Sequence, residues 1–289
     1  MTGDSAPTPS APATRAPPVR YARNRAGRTL AWAANGTGPP VLRIGAPMIN
    51  VAEQWTFPSE RPLIDALSAR HRLVHFDASG FGLSEPSPEP FQIDTLIDDI
   101  LTVADAAGID RFAFLSESGA SLAAVRLAAR HPDRITKMAL VGGYVDGRAR
   151  RGPATSPDPI RGLIEEGWTT GGGGLALAYQ LSYFPEGPMD MLKAMVEREQ
   201  TTASEAQMLR LRDVVNTDSI ADILPRVQCP TLIVQGRSNA VHPLSEAQKL
   251  AAGIPKAELV VLDTANHVPL PGNAVWADYL DILLDFLAP

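Results

Sequence analysis

One cysteine, Cys229, stands in a chain of 289 residues. A single thiol can build neither a disulfide framework nor a thiolate metal centre, and this usage fits a cytoplasmic protein while remaining compatible with export. No apolar run approaches the roughly 18 residues that a membrane span needs, so no membrane partner is expected. Basic charge is in deficit: Lys and Arg number 26 against 32 Asp and Glu, a net charge of −6. That leaves no electrostatic footprint for nucleic acid. Neither an arginine cluster nor a metal-ligand set is apparent, so no cofactor or metal is expected. Met1 to Pro18 is rich in Ala, Pro, Ser and Thr and has neither a basic start nor an apolar stretch. It reads as a disordered tail and not as a signal peptide.

What is present is a sizeable apolar fraction, 45% of residues, enough for one large domain with an insertion. Short apolar runs read as strands at Arg20–Arg25, Thr29–Ala34, Val41–Ile44, Leu73–Phe76, Met138–Val141, Thr231–Val234 and Leu259–Leu262, with another just before Ser118. Helical spacing separates them at Leu63–Arg70, Thr95–Ala107, Leu122–Arg130, Ser245–Ala252 and Val275–Leu287. Strands alternating with helices predict an α/β fold whose mainly parallel sheet is covered on both faces. The rhythm breaks between 146 and 227, where four helical patterns (Ile160–Glu166, Leu175–Leu181, Met189–Glu199, Ser204–Val215) occur without a clear strand. This stretch is expected to be a helical lid inserted into a core of residues 19–145 and 228–289. The run Gly171 to Gly174 within it lacks the preceding strand and following Lys-Ser or Lys-Thr of a phosphate cradle, and reads as a loop.

The sharpest local signal is Leu115-Ser116-Glu117-Ser118-Gly119-Ala120-Ser121. A strand ends, tiny residues follow and a helix begins. Such a turn strains its central residue and needs small neighbours at minus two and plus two, which Ser116 and Ala120 supply. It lifts one hydroxyl to a helix N-terminus, where a nucleophile belongs. Ser116 is out of register for that role. A serine hydroxyl needs a base. Of the five histidines, His71 and His75 flank a buried strand and His131 ends a helix, while His242 follows a strand and could face a cleft. His267 lies just past the last strand, and loops past strand C-termini gather at the ligand-binding edge of a parallel sheet.

Taken together, these segments resemble the α/β-hydrolase superfamily over nearly the whole chain after the tail. Asp77-Ala78-Ser79-Gly80-Phe81-Gly82-Leu83-Ser84 resembles the family's Asp-x-Arg-Gly-x-Gly-x-Ser loop. His131-Pro132-Asp133-Arg134 is similar to its His-Pro-Glu-Arg helix end, Pro230-Thr231-Leu232-Ile233-Val234 to the strand that delivers the acid, and Asn266-His267-Val268-Pro269 to its Gly-His-x-Pro. Val141-Gly142-Gly143-Tyr144 with Gly147-Arg148-Ala149-Arg150-Arg151 is similar to a subgroup often fused to signalling or regulatory domains. The resemblance implies an α/β-hydrolase fold with a helical lid after the sixth strand, Ser118 as nucleophile and His267 as base. It implies an oxyanion hole of two backbone N–H groups, from Gly119 and from Ala46 in Ile44-Gly45-Ala46-Pro47. Glu117 resembles the Glu of the Gly-Glu-Ser elbow of some carboxylesterases, and a buried structural carboxylate is the expected role.

The main departure is Asn239, which stands where the family carries aspartate. An aspartate fixes the histidine's tautomer and stabilises the imidazolium. Asparagine orients the ring if its oxygen faces it, and enforces the wrong tautomer if its NH₂ does. Asp146, a few residues past the strand Met138–Val141, is a possible alternative acid; Asp263 is a weaker one. The expected pocket lies between the sheet edge and the lid, lined by Met48, Ile49, Tyr144, Trp168, Tyr183, Phe184 and Val268. It suits a small, mainly apolar molecule with a carbonyl. The first expectation is a serine-dependent hydrolase, an esterase or lactonase. The alternatives are a non-hydrolytic enzyme of the same fold (a cyclase, a lyase or an elimination enzyme in small-molecule biosynthesis) and a ligand-binding protein without turnover. The oligomeric state is not legible.

Overall fold

The computed structural model describes residues 15–45, 47, 49–87, 89–152, 158–168 and 173–289. In chain order the elements are β1 (Arg20–Arg23), β2 (Thr29–Asn35), β3 (Pro40–Ile44), α1 (Arg61–Ser68), β4 (Arg72–Phe76), α2 (Ile93–Ala106), β5 (Phe112–Glu117), α3 (Ala120–Arg130) and β6 (Ile135–Val141). Then follow α4 (Pro159–Gly167), α5 (Gly174–Tyr183), α6 (Met189–Thr202), α7 (Glu205–Thr217), β7 (Thr231–Gly236), α8 (Leu244–Gly253), β8 (Ala257–Leu262) and α9 (Trp276–Leu287). The disordered-tail reading falls largely on residues 1–14, which lie outside the described residues, as do Gly171 and Gly172 of the glycine run.

Eight strands form one sheet in the order β1-β2-β4-β3-β5-β6-β7-β8. From β4 to β8 every pairing is parallel; β1 and β2 add an antiparallel edge. The period-2 alternation of strand side chains separates two cores. Phe112 and Phe114 of β5 point to one face with Leu96, Ile100, Leu122 and Leu250, under α2, α3 and α8. Ala113 and Leu115 point to the other with Leu63, Leu67, Tyr279 and Leu283, under α1 and α9. The same alternation puts Arg43 of β3 and Glu117 of β5 on this second face. A charge buried among apolar neighbours must be paired there. Arg43 grips Glu117 with Nε at 3.2 Å and Nη2 at 2.9 Å, and Glu60 with Nη1 at 2.5 Å.

Helices α4 to α7 lie between β6 and β7 in the chain and carry small cores of their own. Ile160, Ile164, Trp168, Tyr179 and Met208 pack together with Phe81 of the β4–α2 loop. Leu192 and Met195 pack with Ile49, Phe57 and Leu270. Helix α7 opens with a capping box, Ser204 Oγ accepting from Gln207 N and the Gln207 side chain accepting from Ser204 N. A bridge between Asp146 and Ser219 closes the base of this helical insertion.

Candidate active site

The turn after β5 has the conformation its small residues allow. Ser118 has φ +53°, the only positive φ of a non-glycine among the described residues. Its N–H donates to Val141 O at 2.9 Å, which ties the turn to the end of β6. Its carbonyl accepts from Ser121 N at 3.0 Å and Ser121 Oγ at 2.6 Å. The Ser118 side chain is thereby set at the mouth of α3. Gly119 follows as the residue before the helix, with its N–H at the helix N-terminal end. Ala46, the other expected donor, and Met48 of the expected pocket lie outside the described residues.

His267 sits in the loop between β8 and α9 and is 2% exposed. That loop is clamped to the segment after α5. Glu186 accepts from Thr264 Oγ1 at 2.5 Å and Ala265 N at 2.7 Å, and its own N–H donates to Asn266 Oδ1 at 2.9 Å. His267 N donates to Tyr183 O at 2.8 Å. The Gly142 backbone approaches the ring so closely that a Cβ there would lie 2.8 Å from His267 Cε1. Since Ser118 N bonds to Val141, directly before Gly142, the serine turn and the imidazole both lie at the end of β6, with no hydrogen bond between Ser118 Oγ and His267 Nε2. Both line one cavity of about 200 Å³.

Asn239, expected at the acid position, has one amide orientation open to it. Asn239 Oδ1 accepts from Val241 N at 2.9 Å and His242 N at 3.1 Å, and lies 3.2 Å from His267 Nδ1; Nδ2 donates to His267 O at 3.4 Å. Turning the amide over would set NH₂ against two backbone donors and oxygen against a carbonyl. With oxygen toward Nδ1, that nitrogen carries the proton and Nε2 carries the lone pair. Nε2 is buried without a partner and is the tautomeric form of a base. Asp146 and Asp263 do not reach the ring. The Asp146 oxygens take Ser219 Oγ at 2.7 Å and Lys249 Nζ at 2.9 Å. Asp263 is exposed and faces Arg237.

The electrostatics around this ring are one-sided. Burial, with Arg212 adding to it, holds the His267 pKa down to about 3. His242 stacks on Tyr144 at 4.0 Å and meets His267 edge-on at 5.2 Å. Arg151 Nη2 donates to His242 Nδ1 at 3.0 Å, so the His242 proton is on Nε2. Burial, then His267, Arg151 and Arg212, push His242 well below the ordinary imidazole value. No carboxylate touches either ring among the described residues, and no group of three or more His, Cys, Asp or Glu is placed there to hold a metal ion.

Of the expected pocket residues, Ile49, Tyr183, Phe184 and Val268 line the cavity. Tyr144 and Trp168 do not: Tyr144 is buried with its hydroxyl on Val215 O at 2.9 Å, and Trp168 packs inside the insertion with Nε1 on Ala203 O at 2.8 Å. Glu117 lines the cavity but is spent on Arg43, and burial raises its pKa against that ion pair. Arg212 and Gln180 also line it, and neither is among the residues expected there from sequence. A signal existed for Arg212: it falls on the same helical stripe as Met208, Leu211 and Val215, where an apolar residue is the rule.

Comparisons with known proteins bear on the fold that carries these residues. The family model described as "alpha/beta hydrolase fold" matches residues 45–274. A Klebsiella pneumoniae (strain 342) protein named as a carbamate hydrolase, RutD, is 27% identical over 87% of this chain and 92% of its own length. A protein of the same name from Caulobacter sp. (strain K31) is 26% identical over 71% and 77%. Among solved structures, the enol-lactonase of Burkholderia xenovorans LB400 superposes with a TM-score of 0.75 at 24% identity, covering 93% of this chain and 99% of that one. The esterase of Exiguobacterium antarcticum does so with a TM-score of 0.76 at 18% identity, over 92% and 98%. At these identities the structural likeness is one of fold. The family match spans most of the chain and takes in strands β4 to β8, the strained serine turn and the histidine loop, and the chain belongs to the α/β-hydrolase family.

Proposed function

We propose that this chain is a serine-dependent hydrolase of a small, mainly apolar ester or lactone. Ser118 Oγ attacks the carbonyl carbon and His267 Nε2 takes the serine proton. The oxyanion receives the Gly119 N–H, with Ala46 N–H as the second donor. The imidazolium then gives its proton to the leaving oxygen. Water, activated by the same nitrogen, releases the acyl group and restores the serine. Asn239 orients the ring without supplying charge, and helices α4 to α7 cover the cavity as a lid. The observation that carries this reading is the amide of Asn239, anchored by two backbone donors, which leaves the basic nitrogen of His267 free toward the cavity shared with Ser118. The relatives' name adds carbamates to the carbonyl compounds that suit such a site.

A fluorophosphonate probe tests it. The folded protein becomes labelled, and Ser118→Ala removes the label. Absence of label on the folded wild type would discard covalent catalysis. The missing negative charge beside His267 favours one rival, acid–base chemistry without an acyl-enzyme. In that case His267→Ala costs far more activity than Ser118→Ala, whereas equal collapse of both supports the hydrolase.

A further inference from the structure

The cavity wall formed by α5 and α7 carries one cationic side chain, Arg212, beside Tyr179, Gln180 and Tyr183. Arg212 is 7% exposed and lines the cavity. A guanidinium has five N–H donors. Three are used: Nε and Nη2 each reach an Asp158 oxygen at 2.8 Å, and Nη1 reaches Tyr183 Oη at 3.2 Å. Two remain. The Tyr183 oxygen accepts from Arg212, and its hydroxyl lies beside that of Tyr179. Both tyrosines line the cavity, and the Tyr183 hydroxyl hydrogen can turn toward it. Asp158 is saturated on its far side by Arg212 and by Asn216 Nδ2 at 2.5 Å.

This donor wall adjoins the reacting centre. The Tyr183 ring meets the His267 ring edge-on at 5.5 Å, and Tyr183 O accepts the His267 N–H. At the opposite edge of the imidazole, the position that normally carries a negative charge is the neutral Asn239. The ring therefore has no carboxylate beside it among the described residues, and the adjoining wall keeps Arg212 N–H donors beyond those that Asp158 takes.

We infer that the substrate carries its own carboxylate, held by Arg212 and the Tyr183 hydroxyl, which puts the negative charge missing from the acid position beside His267. The inference rests on the hydrolase reading for its mechanism but not for its binding geometry. A carboxylate matches the planar fork of a guanidinium and accepts the phenol hydrogen on the same oxygens. The bound anion then stabilises the imidazolium as the serine proton arrives. A neutral ester of the same shape reaches the nucleophile without that help.

The test uses phenylacetate and phenylacetamide, alike in shape and different in charge, on the full-length protein by titration calorimetry. The carboxylate is expected to bind at least about tenfold more tightly. Tyr183→Phe keeps the ring and the Arg212–Asp158 pair and should shrink that ratio several-fold; Arg212→Gln should abolish it. Phenylacetate should also protect Ser118 from the fluorophosphonate where phenylacetamide does not. Equal binding of the two compounds to wild type overturns the inference, and so does a ratio that survives in both variants. Labelling of Ser118 is scored separately: equal binding with labelling intact removes the carboxylate and leaves the hydrolase, while carboxylate selectivity without labelling removes the hydrolase and leaves the binding site.

Discussion

Replacing Asn239 by aspartate should convert a neutral brace into a charged one. The perturbation is small in shape, because the two backbone donors that fix Oδ1, Val241 N and His242 N, suit a carboxylate at least as well. A unit charge 3.2 Å from the imidazolium is worth about 5 kcal/mol at an effective dielectric constant of about 20. Against it, the second carboxylate oxygen now faces the His267 carbonyl, where Nδ2 donated at 3.4 Å. That contact and the burial of the new charge remove about 1–3 kcal/mol. The net is about 2–4 kcal/mol, or roughly 30- to 1,000-fold in kcat/KM.

The same interaction moves the pH profile. Imidazolium cannot act as a base, so the acid limb of kcat/KM follows the His267 pKa of the free enzyme. In wild type that pKa is held down to about 3, by burial and by Arg212, with no carboxylate among its neighbours His242, Tyr183 and Asn239. Wild type should thus keep its full rate as pH falls from 7 to about 4. With Asn239→Asp the limb rises by about two units, because one unit corresponds to about 1.4 kcal/mol. The variant should therefore be faster at pH 7 and lose most of its advantage by pH 4. The second-order rate of fluorophosphonate labelling between pH 4 and 9 measures both effects without knowledge of the substrate. A folded Asn239→Asp protein with unchanged labelling rate and an unmoved acid limb would refute the reasoning and send the search for the ring's partner elsewhere.

Three further outcomes follow from single positions. Ser118→Gly relieves a positive φ that costs a non-glycine about 1–2 kcal/mol and gives back about 0.5–1 in glycine entropy, so it should abolish labelling yet unfold at a Tm equal to or slightly above wild type by calorimetry, while Ser118→Ala keeps the strain and the wild-type Tm. Gly142→Ala places a Cβ 2.7 Å from His267 O and should cost about 100-fold in labelling rate through a displaced ring; Gly108→Ala, equally left-handed at φ +68° but with open space around it, should leave the rate unchanged. Arg43→Met strands Glu117 and Glu60 beside each other and should destabilise by about 3–5 kcal/mol in chemical denaturation, since one buried partner is lost and its counter-charges remain.

How much of this was legible in the sequence depends on whether the constraint was local. The serine turn could be read because small residues on both sides of Ser118 are a condition of its backbone, and the structure shows that backbone at φ +53°. The alternating strands and helices were readable for the same reason, with ends displaced by a few residues, as at β6, which begins at Ile135 and not at Met138. The direction of the Asn239 amide was not, because it is decided by two backbone donors and a carbonyl that only the folded loops bring together. Tyr144 and Trp168 are expected as apolar pocket liners, yet both are buried away from the cavity with their polar atoms on main-chain acceptors at Val215 and Ala203. Asp146 was attractive by its place after β6, but Ser219 and Lys249, more than 70 residues further along the chain, claim its oxygens.

The charge around His267 works in one direction. An aspartate at position 239 would make His267 easier to protonate; deep burial and Arg212 make it harder, and asparagine brings no charge to offset them. A base of low pKa is present wholly in its neutral form at pH 7, so the loss does not fall on the population of active protein. In the proposed mechanism it falls on driving force, because the proton leaving Ser118 arrives on a nitrogen with little affinity for it. Two routes around that cost remain: a substrate whose leaving group is good enough to need little help, or a substrate that brings an anion to the ring. They separate experimentally. Across a series of neutral esters with increasingly acidic leaving alcohols, the first route gives a steep rise in kcat/KM for wild type and a shallow one for Asn239→Asp. The second gives low rates throughout that series and a jump when a carboxylate is added to an otherwise identical ester. A wild-type enzyme equally fast on good and poor neutral leaving groups would show that the imidazole does not carry the burden assigned to it.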